Sequence, residues 1–228
     1  MSSTPLTKNF HLYSHTHYFG FPVMVHNGPL IEEYLEKGFK LFQTALAKYN
    51  RVVMFRFDLR FPLDYPYQIS NQVISNFNSG LKKAIERNRA MHPNGALKHQ
   101  TDVDYLWVKE YGRHSQRPHY HYALFLNKDA FFTLGSPNSH ESLMGLIIRQ
   151  WAHAIGWPVP HSIGLVHKAK NARYDQREVM VFDVNQLDYT EQVEAGFYRF
   201  SYLFKADTKV FSDGLNNIGM SQLPKTVY

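Results

Sequence analysis

Cysteine is absent from this 228-residue chain, which removes disulfides, thiolate metal sites and cysteine nucleophiles from consideration and makes a reducing cytoplasm the simplest compartment. Acidic residues are the scarcer sign. Asp and Glu number 19 against 25 Lys and Arg, a formal net charge of +6 before the 13 histidines are counted. That balance favours a polyanionic partner such as nucleic acid. Long apolar runs are also missing, because charges or prolines interrupt each one, so no membrane span is expected. The polar N-terminus lacks the apolar stretch of a signal peptide. No GxxxxGK[ST] phosphate loop occurs, which argues against a fused nucleotide-driven motor, and no repeat of 20–50 residues is visible. What is plentiful is aromatic: 17 Phe, 15 Tyr and 3 Trp, material for a core or for stacking on bases.

The length suits one large domain. Residues 1–28 read as irregular. Leu30, Tyr34, Leu35, Phe39, Phe42 and Leu46 then recur at helical steps within 29–49. Residues 51–61 alternate as a strand, with Val53, Phe55, Phe57, Leu59 and Phe61 on one side and Met54, Arg56, Asp58 and Arg60 on the other. A second helix is expected over 70–91 and is stopped by His92-Pro93-Asn94-Gly95. Strands over 104–111 and 119–126, joined by a short polar link, form a hairpin. A third helix over 140–155, short strands near 162–168 and 178–184, and a last helix from Thr190 to Ala206 complete the chain. No linker separates these pieces. The expectation is a single α+β domain over 1–228, with a central, mostly antiparallel sheet flanked by helices.

Three features carry chemistry. His119 and His121 lie two apart on a strand, so their imidazoles point the same way. Glu110 sits near the end of the partner strand, beside that pair. Two imidazoles and a carboxylate suit a divalent cation such as Mg2+ or Mn2+. On the last helix, Tyr198, Tyr202 and Lys205 share one stripe at about 100° per residue, while Val193, Phe197, Phe200, Leu203 and Phe204 occupy the core-facing side. The phenols are therefore left facing something polar. Chance weighs against each feature alone: thirteen histidines give about 0.7 His-x-His pairs in random order, and a second pair, His15 and His17, lies in the N-terminal segment with no strand-borne carboxylate before it. The conjunction is what carries weight.

The runs Trp107-Val108-Lys109-Glu110-Tyr111-Gly112, Arg117-Pro118-His119-Tyr120-His121-Tyr122-Ala123-Leu124 and Tyr198-Arg199-Phe200-Ser201-Tyr202-Leu203-Phe204-Lys205 resemble the HUH endonuclease superfamily. Within it they look like the two-tyrosine rolling-circle replication initiators of the filamentous-phage (inovirus) group and their prophage relatives. The resemblance covers residues 50–210. It implies a Rep-like fold with a ferredoxin-like core in the cytoplasm of a bacterial host. It further implies a metal-dependent, site-specific single-strand DNA endonuclease and strand transferase that passes through a 5′-phosphotyrosyl link. Glu110, His119 and His121 would be the metal ligands, Tyr198 and Tyr202 the nucleophiles, and Lys205 their assistant. Single-stranded DNA at a replication origin would be the substrate, with a host helicase and polymerase as partners. Arg113 and Arg117 flank the site and are the favoured DNA contacts; Arg56, Arg60, Lys168 and Lys209 belong to a wider basic set able to follow a phosphate backbone. Tyr111, Tyr120 and Tyr122 either stack on bases or fill the sheet face. Two alternatives stand: a non-catalytic DNA-binding protein of the same fold, and an HUH transposase or relaxase, for which Tyr13 and Tyr18 near His11, His15 and His17 would serve.

Overall fold

In a computed structural model, residues 10–90, 98–112, 117–169, 179–207 and 209–223 are described. The chain starts with three two-residue strands, β1 (Leu12–Tyr13), β2 (His17–Tyr18) and β3 (Phe21–Pro22), so part of the segment expected to be irregular is paired. They are followed by β4 (Leu30–Ile31), α1 (Glu32–Leu46), β5 (Arg51–Arg60), α2 (Asn71–Asn88), β6 (Asp104–Tyr111), β7 (Pro118–Asn127) and α3 (Leu143–Ile155). The last elements are a short α4 (Val159–Ser162), β8 (Val166–Lys168), β9 (Val179–Asp183), α5 (Tyr189–Ser201) and β10 (Ile218–Met220). A 3-10 turn, Tyr202–Phe204, extends α5. The arrangement is α+β.

The main sheet runs β10-β6-β7-β5-β8, and β9 pairs with β5 as well. Every pairing is antiparallel. β8 lies along Phe57–Leu59 and β9 along Arg51–Phe55. Both faces of β5 are filled because helices cover both sides. One face presents Val53, Phe55, Phe57 and Leu59 of β5 with Tyr120, Tyr122, Leu124 and Leu126 of β7, packed on Phe77 and Leu81 of α2 and Ile147 and Trp151 of α3. The Trp151 indole is fully buried and donates to the Arg60 carbonyl at 2.7 Å, which satisfies its one polar atom. Tyr120 and Tyr122 are thus core residues of this layer and are not available to bases.

The opposite face presents Val52 and Met54 of β5, Leu106 and Val108 of β6, and Ala123 and Phe125 of β7 to α1 and α5. Burying each large side chain here contributes about 1.5–3 kcal/mol. Helix α3 is set by its ends: the Ser142 side chain accepts from the Gly145 amide, and Gly156 closes the helix at φ 65°. Close approach matters most at Gly38 of α1. A Cβ there would lie 2.0 Å from Phe204 Cζ, so only glycine lets the turn after α5 seat on α1.

Candidate metal and nucleophile site

The face that packs on α1 and α5 changes character along the strands. On β5 the row Val52, Met54 continues as Arg56, Asp58; on β6 Leu106, Val108 continues as Glu110; on β7 Phe125, Ala123 continues as His121, His119. Register makes these rows meet. Asp58 is opposite His121, and Glu110 is opposite His119. Strand alternation therefore collects every one of these polar side chains on one patch, next to the end of α5.

One atom each of Glu110, His119 and His121 lie within 4.8 Å of one another. The two imidazole Nε2 atoms are 3.1 Å apart, and His121 Nε2 is 3.3 Å from Glu110 Oε2. Ligands about 2.1 Å from a small octahedral cation stand roughly 3 Å from their neighbours, so these spacings fit adjacent positions on one ion. Asp58 Oδ1 lies 2.5 Å from His121 Nδ1. Accepting the Nδ1 proton, it leaves Nε2 with its lone pair aimed at the cluster. Among the described residues this is the one group of three with metal-ligand spacing. His15 and His17 take no part in it, and the Tyr13 phenol donates to the His17 carbonyl.

Cations surround the carboxylates. Lys205 Nζ is 3.2 Å from Glu110 Oε2 and donates to the Tyr202 hydroxyl at 2.7 Å. Lys209 Nζ, fully buried, reaches Glu110 Oε1 at 3.1 Å and the carbonyls of Leu203 and Lys205 at 3.0 and 2.6 Å. Three acceptors around one nitrogen are what an ammonium requires. Arg56, also buried, donates to the Arg199 carbonyl and lies 5.7 Å from the centre of the Tyr202 ring. Arg56 and Lys209 are therefore parts of the site's interior, not of a surface track for phosphates.

The electrostatics follow. Burial alone would raise Glu110, but Lys209, His121 and Lys205 outweigh it and hold the carboxyl well below the usual range. Burial likewise opposes ionisation of Asp58, and His121 and Arg56 overcome it. His121 is raised, because its bonds to Asp58 and Glu110 outweigh burial. His119 is lowered, by burial first and by its neighbour His121 second. Burial pulls Lys205 down while Glu110 and Tyr202 pull it up, with a net rise; for Lys209 burial wins and the value falls. Buried Glu110 and half-buried Asp58 thus face Arg56, Lys205 and Lys209, with Asp207 also lining the cleft.

Tyr202 stands at this cluster, its ring edge-on to His121 with centroids 6.1 Å apart. It lines a polar cleft of about 470 Å³ with His26, Asn27, Lys205 and Asp207. Tyr198 is largely buried, and its hydroxyl lies 3.1 Å from His26 Nδ1. Arg117, just before β7, donates to the Pro62 carbonyl at 2.8 Å. Arg113 lies outside the described residues. Asp58, Lys209 and His26 are site residues that the sequence pattern does not mark as such. For Asp58 a signal existed: a carboxylate two residues after Arg56 on a strand whose other residues are mostly apolar.

The family model YagK/YfjJ C-terminal domain matches residues 14–221, a span that contains every residue of the cluster. Two proteins of Escherichia coli (strain K12) are similar over nearly their whole length. "Uncharacterized protein YagK" is 31% identical over 208 residues, covering 86% of this chain and 96% of its own. "Uncharacterized protein YfjJ" is 28% identical over 211 residues, with the same coverage of both chains. No solved structure matches.

Proposed function

The chain belongs to the YagK/YfjJ C-terminal domain family, and we propose that it is a metal-dependent single-strand DNA nickase and strand transferase of the HUH type, which starts rolling-circle replication at an origin in the bacterial cytoplasm. The observation that carries this reading is the convergence of Glu110, His119 and His121 beside a tyrosine whose hydroxyl is joined to Glu110 through Lys205. Binding DNA has no use for that combination; transferring a phosphodiester to a phenol does.

Glu110, His119 and His121 would hold a divalent cation, Mg2+ or Mn2+, which when bound neutralises the phosphate oxygens as charge builds on them. Asp58 keeps His121 in the tautomer that leaves Nε2 available. Lys209 and Lys205 keep Glu110 ionised in a buried setting. A tyrosine oxygen of the pair attacks phosphorus and the bond to the 3′ oxygen breaks. The phenol loses its proton to solvent, the leaving oxygen gains one, and the products are a 5′-phosphotyrosyl link and a free 3′-hydroxyl. The link conserves the phosphodiester, so rejoining needs no nucleotide cofactor. A host polymerase would extend the 3′ end and a host helicase would separate the strands.

The test is incubation with a labelled random-sequence single-stranded DNA pool and Mn2+, followed by a denaturing gel. A covalent protein–DNA band is expected. It should vanish with chelator and in the Tyr198→Phe, Tyr202→Phe double variant; a band surviving either treatment refutes the reading.

A further inference from the structure

Resting on that reading, we infer that the two tyrosines are not equivalent: Tyr202 makes the first cut, and Tyr198 is held for the second by His26, a positioning residue supplied by the N-terminal segment.

The segment around His26 is stitched to both ends of the tyrosine region. The Met24 amide donates to Ser201 Oγ at 2.8 Å. Beyond the turn, the Ala206 amide donates to the Pro29 carbonyl at 2.9 Å, and Leu30 bridges Lys205. Between these anchors the chain reverses: the Gly28 amide bonds the Val25 carbonyl at 3.0 Å, and Gly28 has φ 109°, which a side chain would oppose. The loop thus straddles residues 201–206 and holds His26 above them. The imidazole lies nearly parallel to the Tyr198 ring, 19° between planes, with Nδ1 3.1 Å from the hydroxyl.

His26 also sits between two clefts. One, about 470 Å³, contains Tyr202 and Lys205; the other, about 410 Å³, contains Tyr198 and His17. Each phenol has a polar partner, Lys205 for Tyr202 and His26 for Tyr198, and the first of these partners is itself bonded to the metal-ligand carboxylate. A chain already attached through Tyr202 keeps a second phenol whose hydroxyl His26 holds in place. In the second cut the Tyr198 oxygen bonds to phosphorus and the bond to the 3′ oxygen breaks. The phenol proton passes to solvent, and the 3′ oxygen takes one from water. That 3′-hydroxyl then attacks the Tyr202 link, which closes the strand and restores the Tyr202 phenol.

The experiment uses the full chain, Mn2+ and an oligonucleotide recovered from adducts with the random-sequence pool. Peptide mapping by mass spectrometry should place the first-turnover adduct on Tyr202. Adding a second copy of the oligonucleotide to the purified adduct should give a doubly attached chain, the new link on Tyr198. In His26→Ala the ratio of doubly to singly attached chain should fall at least tenfold, an internal ratio that loss of folded protein does not change. His26→Asn, whose amide reaches the position of Nδ1, should restore most of it. A first adduct on Tyr198, or an unchanged ratio in His26→Ala, overturns this assignment and leaves the nickase reading standing. A wild-type chain that forms no adduct on any single-stranded DNA overturns both.

Discussion

Lys209→Met isolates the charge balance at the centre of the site. The Lys209 side chain is fully buried, and Glu110, its partner, is 2% exposed. Methionine preserves the length and apolar bulk of the stem, so packing changes little. What is lost is the ammonium on Glu110 Oε1 and the donors to two carbonyls. Removing one partner of a buried pair costs about 3–5 kcal/mol. Lys205 and His121 remain on the other carboxylate oxygen, which places the expected loss near the lower end, about 3 kcal/mol. For a domain of this size each kcal/mol moves Tm by roughly 2–4 °C, so the variant should melt roughly 6–12 °C below wild type in chelator. Mn2+ should narrow that gap, because a cation at the cluster supplies the charge that Lys209 supplied and so binds the variant more tightly. Thermal melts of both chains, with chelator and with Mn2+, read all four states. A gap below about 2 °C in chelator would refute the claim that Lys209 holds the carboxylate. A gap that Mn2+ leaves untouched would refute the claim that the cluster takes the cation.

Further expectations concern the ligands and the helix contact. Asp58→Asn removes the carboxylate that orients His121 and should weaken Mn2+ binding by about 10–100-fold in calorimetric titration; an unchanged Kd would remove Asp58 from the site. The thermal shift produced by Mn2+ should shrink as pH falls from 8 to 5, with the decline starting above the ordinary histidine value. The sign follows from His121, which burial disfavours as a cation but Asp58 and Glu110 favour more strongly, so that its value is raised. Its protonation stabilises the metal-free chain at low pH, an advantage lost as pH rises through the raised value, and the same proton competes with the metal; a shift independent of pH would contradict this. Gly38→Ala should destabilise the chain by about 1–3 kcal/mol in urea titration, outweighing a helix-propensity gain of about 1 kcal/mol, because its Cβ would meet the Phe204 ring at 2.0 Å. Equal or higher stability would show that the ring has room to move.

Periodicity made the central architecture legible. Residues 104–111 were expected as a strand and form one with those limits, and the strand expected over 51–61 spans Arg51–Arg60. These are long, strongly patterned segments in which side chains must alternate between two covered faces. The short pieces were not legible. β10, at Ile218–Met220, is three half-buried residues whose pairing with β6 is set by the partner, not by any pattern of its own. The two-residue ladders near the N-terminus are equally silent. The triad of Glu110, His119 and His121 could be read because it depends only on strand alternation and one hairpin register. Lys209 could not, because it follows a change of direction after α5 and is one lysine among many until the fold buries it.

The tyrosine pair shows the limit most directly. Uniform α-helical geometry places Tyr198, Tyr202 and Lys205 within about 60° on one stripe. The helix in fact ends at Ser201, and Tyr202–Phe204 form a 3-10 turn. In such a turn residues three apart eclipse, so Lys205 stands directly over Tyr202 and its ammonium reaches the phenol at 2.7 Å. Tyr198 lies before the break, within the regular helix, and meets the N-terminal segment instead. The change of winding coincides with the anchors to that segment at Ser201, Lys205 and Ala206. It gives two phenols four residues apart different partners and different clefts. No helical wheel contains that distinction, because it arises from a tertiary contact more than 170 residues away in the chain.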